Sequence, residues 1–298
     1  MQSSVFEPMD MAVAEAVLKE AKEILDQLGL PFFLRHGTCL GAVRDQAFIG
    51  WDDDLDIGSV IGFHGLTEPL VLQAAELFRE RGFEVEVIDS ELHMSVDMHK
   101  SGTQLDWTCY RIIDDYIYQW PAVQIPARLH DNLKEIDFLG ERFMVPNPPE
   151  EYLRLKYGPD WKIPKRAGYE NDVLDLMPDA VPPTLVEKLV RWARSRLPGG
   201  RRGRLKVLDQ RGMPVHGAEV VVAATTLQAG LVRSTTDKNG YVGLGLPTDG
   251  KYVLAIRYED HEEILYLEEL AARVDYVYRP DPEISSGRAY VLVPKEAS

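Results

Sequence analysis

Cysteine is nearly absent: Cys39 and Cys109 are the only two among 298 residues. A disulfide framework or a thiolate zinc site needs more ligands at short spacing. Both thiols stand among apolar residues and are expected to be buried. No run approaches the roughly 18 apolar residues of a membrane helix. Residues 1–10 lack the basic start and apolar stretch of a signal peptide, so a soluble, cytoplasmic protein is expected. Basic charge is also scarce, with 33 Lys and Arg against 48 Asp and Glu and a formal net charge of -15. That balance argues against a nucleic-acid polymer as the main partner, because such affinity comes from neutralising phosphates with Lys and Arg. A single nucleotide remains possible, since a metal ion and one or two basic side chains can meet its charge.

The length allows two domains with well-buried cores, and 45% hydrophobic content is that of a globular chain. Helical spacing of Met9, Val13, Val17, Ala21, Ile24, Leu25 and Leu28 predicts a first helix, stopped at Gly29 with Pro31 beyond. Phe32-Phe33-Leu34 reads as a short buried strand, Leu40 to Arg44 as the first turns of a helix, and Asp54 to Ile57 as a half-buried strand. A helix over 69–81 and a strand over 83–88 follow. A hairpin then joins 93–99 to 103–110 through Lys100-Ser101-Gly102. Composition changes near residue 198: 185–197 looks helical, and Pro198-Gly199-Gly200 breaks the pattern. Short alternating runs at 204–208, 218–223, 231–235, 252–258 and 288–293, separated by turn residues, predict an all-β sandwich of about 100 residues. The expected division is a catalytic domain over 1–198 and a β-sandwich over 203–298, with the boundary inside 198–202.

The richest chemistry lies in Gly37-Thr38-Cys39-Leu40-Gly41-Ala42-Val43-Arg44 and in Phe48-Ile49-Gly50-Trp51-Asp52-Asp53-Asp54-Leu55-Asp56-Ile57. Four carboxylates in five positions repel one another, so a fold that gathers them is expected to supply a cation. Strand alternation puts Asp54 and Asp56 on one face while Leu55 and Ile57 point to the core. Two carboxylates so spaced suit Mg²⁺, a hard cation that favours oxygen ligands, with Mn²⁺ as its substitute. A third acid on a neighbouring strand would complete the set; Asp106, between Leu105 and Trp107, is the candidate. The Gly37-Thr38 turn offers backbone N–H groups and a hydroxyl to a phosphate. Arg44 offers a planar fork to a second phosphate oxygen. An EF-hand loop starting at Asp52 would need Gly at its sixth position and Glu at its twelfth. Ile57 and Phe63 stand there and exclude it. A solvated acidic loop is the plain alternative, and the enclosing Phe48, Ile49, Trp51, Leu55 and Ile57 oppose it.

Those two segments closely resemble the LicD/fukutin family of the nucleotidyltransferase-fold superfamily. The helix leading into Phe33-Leu34-Arg35-His36-Gly37, and the later run from Glu151 through Tyr157-Gly158-Pro159-Asp160 to Trp161, extend the likeness over roughly 9–165. Gly50 stands where the family often has Pro, and Cys39 where an aliphatic residue is common; neither change removes a ligand. The resemblance implies an α+β domain, a mixed sheet flanked by helices. It also implies that Gly37 and Thr38 contact nucleotide phosphates and that Asp54, Asp56 and Asp106 bind Mg²⁺. The implied reaction moves a phosphorylated alcohol, such as phosphocholine or phosphoribitol, from a CDP-activated donor to a glycan or glycolipid hydroxyl, releasing CMP. Transfer of NMP with release of pyrophosphate uses the same acids. A non-catalytic scaffold is the reading from another class.

Other residues carry less. Asp52 is expected to support the site, Asp53 to point away, and His36 either to touch a phosphate or to serve as a hydrogen-bonded structural histidine. His93, Asp97 and His99 read as a polar hairpin face. Core packing is the expectation for Tyr157 and Trp161, with Lys165 as a possible pocket residue. The basic run Arg191, Arg194, Arg196, Arg201, Arg202, Arg204 and Lys206 reads as a solvated helix end and linker. Contact of 191–206 with an anionic glycan or membrane surface is the sharper alternative. Residues 203–258 resemble the carboxypeptidase-regulatory-like, transthyretin-like β-sandwich modules. That resemblance implies binding or packing, with Asp237 and Asn239 as turn residues before Gly240.

Overall fold

The computed structural model describes residues 7–119, 123–165, 203–224, 232–246, 248–282 and 288–295. These residues fall into two compact units, one within 7–165 and one within 203–295. The predicted boundary at 198–202, the helix over 185–197 and Arg191 to Arg202 lie outside the described residues.

In the first unit, Asp10 caps helix α1 (Met11–Gln27) by accepting from the Ala12 and Val13 N–H groups. Such a cap satisfies donors that the first helical turn leaves without partners. Ala14, Val17, Leu18, Ala21, Ile24 and Leu25 recur at three- and four-residue intervals and form its buried stripe. A second amphipathic helix, α3 (Glu68–Glu80), buries Val71, Ala74, Ala75 and Phe78. Between them in sequence lie β1 (Phe33–Leu34), the short α2 (His36–Leu40), a π-helical turn over Gly41–Asp45, and β2 (Asp54–Val60).

The strands β3 (Glu84–Asp89), β4 (His93–Lys100) and β5 (Thr103–Tyr110) complete a five-stranded sheet in the order β1-β2-β5-β4-β3. Only the β2–β5 pair is parallel. Ile57, Trp107, Val96 and Val87 align across one face of the sheet. On that face the α3 ring of Phe78 lies 6.3 Å from Trp107, so the helices bury the apolar side. Alternation then turns Asp54 and Asp56 to the other face, together with Asp106 and Asp97. Two further antiparallel hairpins follow, β6 (Tyr116–Gln119) with β7 (Val123–Pro126) and β8 (Lys134–Phe138) with β9 (Glu141–Val145). The closing helix α4 (Pro149–Tyr157) packs against β7.

The second unit has a four-stranded sheet, β13-β10-β16-β18, and a five-stranded sheet, β12-β11-β14-β15-β17. Their members are β10 (Arg204–Val207), β11 (Glu219–Ala224), β12 (Val232–Thr235), β13 (Tyr241–Gly243), β14 (Gly250–Tyr258), β15 (His261–Leu270), β16 (Tyr276–Tyr278), β17 (Arg288–Ala289) and β18 (Val293–Pro294). Leu205, Val207 and Tyr276 of one sheet share a core with Val220, Leu254 and Ile256 of the other, as in a β-sandwich. The expected strand over 288–293 is instead two pieces in different sheets, interrupted where Tyr290 takes a left-handed φ of 55°. The Asp237 carboxylate accepts from the Asn239 and Tyr241 N–H groups, so it serves the turn before Gly240. Arg204 and Lys206 are engaged locally: Arg204 pairs with Asp275 at 3.0 Å, and both cations lie over the Tyr241 ring.

Candidate functional site

The site begins with register. In the parallel β2–β5 pair, Asp56 lies opposite Asp106 and Asp54 opposite Gln104. The next strand continues the row, with Asp97 opposite Asp106. The third acid expected from the sequence therefore stands beside the Asp54–Asp56 pair, some fifty residues on.

A buried arginine organises these acids. Arg35 N–H donates to the Asp56 carbonyl, extending β1 along β2 and turning the Arg35 side chain onto the acidic face. Its Nη2 reaches Asp56 Oδ1 at 3.0 Å and Asp106 Oδ2 at 2.7 Å. Its Nε donates to the Ile57 carbonyl, and Nη1 lies 2.8 Å from His36 Nδ1. Arg35 is only 3% exposed, so its charge is held by protein groups rather than water. Burial works against that charge, and Tyr110, Asp56 and Asp106 outweigh it. The arginine stem and the Phe33 ring both pass over Gly58, where a Cβ would lie 2.8 Å from the ring and 3.3 Å from Arg35 Cδ. The other Asp106 oxygen accepts from Thr108 and from Ser95, whose single hydroxyl proton is shared with Asp97.

The acids divide into two electrostatic classes. Burial would raise the Asp56 carboxyl, yet Arg35 and His36 hold it at about 2. Asp52 has no such partner: burial, then Asp56 and Asp53, push it up to about 8. Asp54 is also pushed up, by burial and then by Asp56, Asp52, Asp53 and Asp106. One oxygen from each of Asp52, Asp53 and Asp54 lies within 4.8 Å of the others. Asp53 therefore does not point away. It precedes the first residue of β2, where two-residue alternation does not apply. Among the described residues, the buried Asp52 Oδ2 has no hydrogen-bond partner. Compressed, underpartnered carboxylates are a donor set suited to a divalent cation.

Helix α2 starts at His36 rather than at Leu40, so Gly37 and Thr38 occupy its first turn. Gly37 packs against the Asp52 carboxylate, and any Cβ there would overlap it. Thr38 is buried and its hydroxyl accepts from the Asp56 N–H at 2.8 Å, tying α2 to β2. Arg44 forms a two-point pair with Asp45 at 2.8 and 2.6 Å and reaches the Trp161 carbonyl at 3.5 Å.

Three contributors escaped the sequence reading as site residues: Arg35, Tyr152 and Lys156. The Tyr152 hydroxyl accepts from the His36 N–H and donates to Gln119, which fixes the left-handed residue that opens α2. Lys156, one turn further along α4, is buried. Burial, then Lys156 and Arg35, lower His36 to about 3, so its imidazole is neutral. The available signal was a charged residue flanked by apolar ones, in Leu34-Arg35 and Leu155-Lys156-Tyr157. Tyr157 and Trp161 are buried, as expected for core packing. His93 and Asp97 are half-buried and His99 exposed on the same strand face, whose polar character was expected.

A short mixed sheet with paired acids on one strand and a third on its parallel neighbour defines a nucleotidyltransferase-type domain. Residues 29–148 match the family described as LicD/FKTN/FKRP, nucleotidyltransferase domain. Among similar proteins is the human "Ribitol-5-phosphate transferase FKTN", 28% identical over 160 residues, which are 51% of this chain and 33% of that protein. The human "Ribitol 5-phosphate transferase FKRP" is 27% identical over 144 residues, 46% of this chain and 29% of that protein. An uncharacterized protein of Rickettsia prowazekii (strain Madrid E) is 45% identical over 42 residues, covering 14% of this chain and 16% of its own length. The chain thus spans about a third or less of the curated relatives it matches. Among the described residues, no helix is long and apolar enough to cross a membrane.

Proposed function

We propose that this protein is a Mg²⁺-dependent phosphotransferase. It moves a phosphorylated alcohol from a CDP-activated donor to a glycan or glycolipid hydroxyl and releases CMP. The observation that carries the reading is Asp54 and Asp56 on one face of β2, with Asp106 in register beside them. Support comes from relatives whose names describe ribitol-phosphate transfer.

Asp54 and Asp56 would hold the ion. When bound, Mg²⁺ supplies charge neutralisation to the donor diphosphate and to the departing CMP. Asp56 would release no proton in doing so, because Arg35 keeps it ionised. The proton of the attacking hydroxyl would pass to Asp106, whose side chain is 25% exposed and whose Oδ1 already accepts from hydroxyl groups. The first turn of α2 presents Gly37 beside these acids. Arg44 meets a phosphate by exchanging its Asp45 partner for it.

The test incubates the protein with Mg²⁺ and a panel of CDP-alcohols, with glycan acceptors, and follows CMP and the product by mass spectrometry. CMP formation that needs both Mg²⁺ and acceptor supports the reading. The description of the matched family as a nucleotidyltransferase domain favours one competitor, NMP transfer. Pyrophosphate release from CTP, with no CMP from any CDP-alcohol, would replace the first reading with that one.

A further inference from the structure

The acidic face holds two kinds of carboxylate, and Arg35 separates them. Asp56 Oδ1 and Asp106 Oδ2 share one guanidinium nitrogen at 3.0 and 2.7 Å. The remaining Asp106 oxygen is taken by two hydroxyl donors. The position that a second divalent ion would need in order to bridge Asp56 and Asp106 already contains a positive charge. That charge cannot swing away cheaply. Its stem is seated on Gly58, its Nε is bonded to the Ile57 carbonyl, and the side chain is sealed from water. On the other flank, Asp52, Asp53 and Asp54 crowd together, with Asp52 Oδ2 buried and unpartnered. Among the described residues, one half of the site therefore lacks a cation, while the other carries one as part of the fold.

We propose that this site takes one divalent ion, on the Asp54 side of Asp56, and that Arg35 stands in for a second ion by bridging Asp56 and Asp106. This rests on the phosphotransferase reading above and deepens it. Arg35 acts here as a positioning residue: it fixes both carboxylates and supplies a permanent charge where an exchangeable one would otherwise sit. A guanidinium suits this place because its planar fork serves several acceptors and keeps its proton at any working pH.

Counting bound ions tests the proposal without reference to turnover. The full chain is titrated with Mn²⁺ alone, and free ion is read by electron paramagnetic resonance. One Mn²⁺ per chain is expected for the wild type and for Arg35→Lys. Asp54→Asn should weaken that binding at least tenfold, whereas Asp106→Asn should change it less than threefold. Arg35→Gln removes the built-in charge and should admit a second Mn²⁺. Added Mn²⁺ should then raise its melting temperature by more than it raises that of the wild type. Two ions in the wild type would overturn the inference while leaving the metal-dependent reading intact. A single ion in a folded Arg35→Gln variant, with no added thermal gain, would also overturn it and leave Arg35 a structural residue. Failure of the wild type to bind any Mn²⁺ would bring down the metal reading itself, and this inference with it.

Discussion

The Asp52 carboxylate lies against Gly37 so closely that the glycine hydrogen occupies space no methyl group could share. The contact is between a residue before β2 and the first turn of α2, and it keeps one site acid packed on the segment beside it. Gly37→Ala must displace Asp52, and overpacking of this kind costs about 1–3 kcal/mol. The variant should unfold at lower denaturant and bind Mn²⁺ more weakly. Wild-type stability combined with wild-type affinity would show that Asp52 relaxes freely and holds nothing in place.

Removing one charge from the β2 pair should have opposite effects at its two positions. Burial and four neighbouring acids raise the Asp54 carboxyl, so placing a negative charge there opposes the metal-free fold. Asp54→Asn should raise the melting temperature without metal and abolish the stabilisation that Mg²⁺ gives by binding only the folded state. Asp56 is the partner of Arg35. Asp56→Asn leaves a buried guanidinium short of a counter-charge, a change that costs roughly 3–5 kcal/mol. Both variants should lose Mg²⁺-dependent transfer. Melting curves in chelator decide the contrast, and a shift of the same sign in both would remove the division of the acids.

Tyr152 joins α4 to the start of α2 through one hydroxyl that accepts from the His36 N–H and donates to Gln119. Tyr152→Phe keeps the ring and leaves a buried N–H without an acceptor, worth about 1–3 kcal/mol. The loss falls on the turn that carries Gly37, so KM for the CDP donor should rise more than melting temperature alone explains. Full retention of KM in a destabilised variant would confine Tyr152 to folding.

Much of this was legible in local sequence. Two-residue alternation gave the phase of Asp54 and Asp56, and the same pattern around Asp106 placed it on a neighbouring strand. Helix α1 was readable from its stripe, and the β4–β5 hairpin from Ser101-Gly102, both left-handed in the structure. The β6–β7 and β8–β9 hairpins were missed because strands of four or five residues carry too few alternations. Asp53 was misjudged because strand phase was carried back past the start of β2. Arg35 was unreadable as a site residue for another reason. A lone arginine after Phe32-Phe33-Leu34 can leave the core or stay in it, and only the pairing of β2 with β5 supplies the two carboxylates that keep it there.

One acid-sensitive contribution to stability should trace to a histidine outside the carboxylate cluster. His130 is buried, with its ring 4.6 Å from Phe33 and 6.1 Å from Tyr152. Burial lowers its pKa from 6.5 to about 3. Between those values the unfolded chain binds the proton and the folded chain does not, so stability rises with pH across the interval. The neutral ring's contribution is complete above about pH 6.5 and fades as pH falls towards 3, reaching a loss of about 2 kcal/mol at pH 5. His36, also lowered to about 3, adds a contribution of the same sign. His130→Phe keeps the ring volume and has no proton to gain, so it should lose about half of the histidine-driven decline. Urea unfolding at pH 7.5 and pH 5.0 measures it directly: Asp52 and Asp54, raised in the fold, shift stability the other way in both proteins, and the variant should end more stable on acidification, relative to its own value at pH 7.5, than the wild type. Equal changes would mean that His130 already takes up its proton in the folded state.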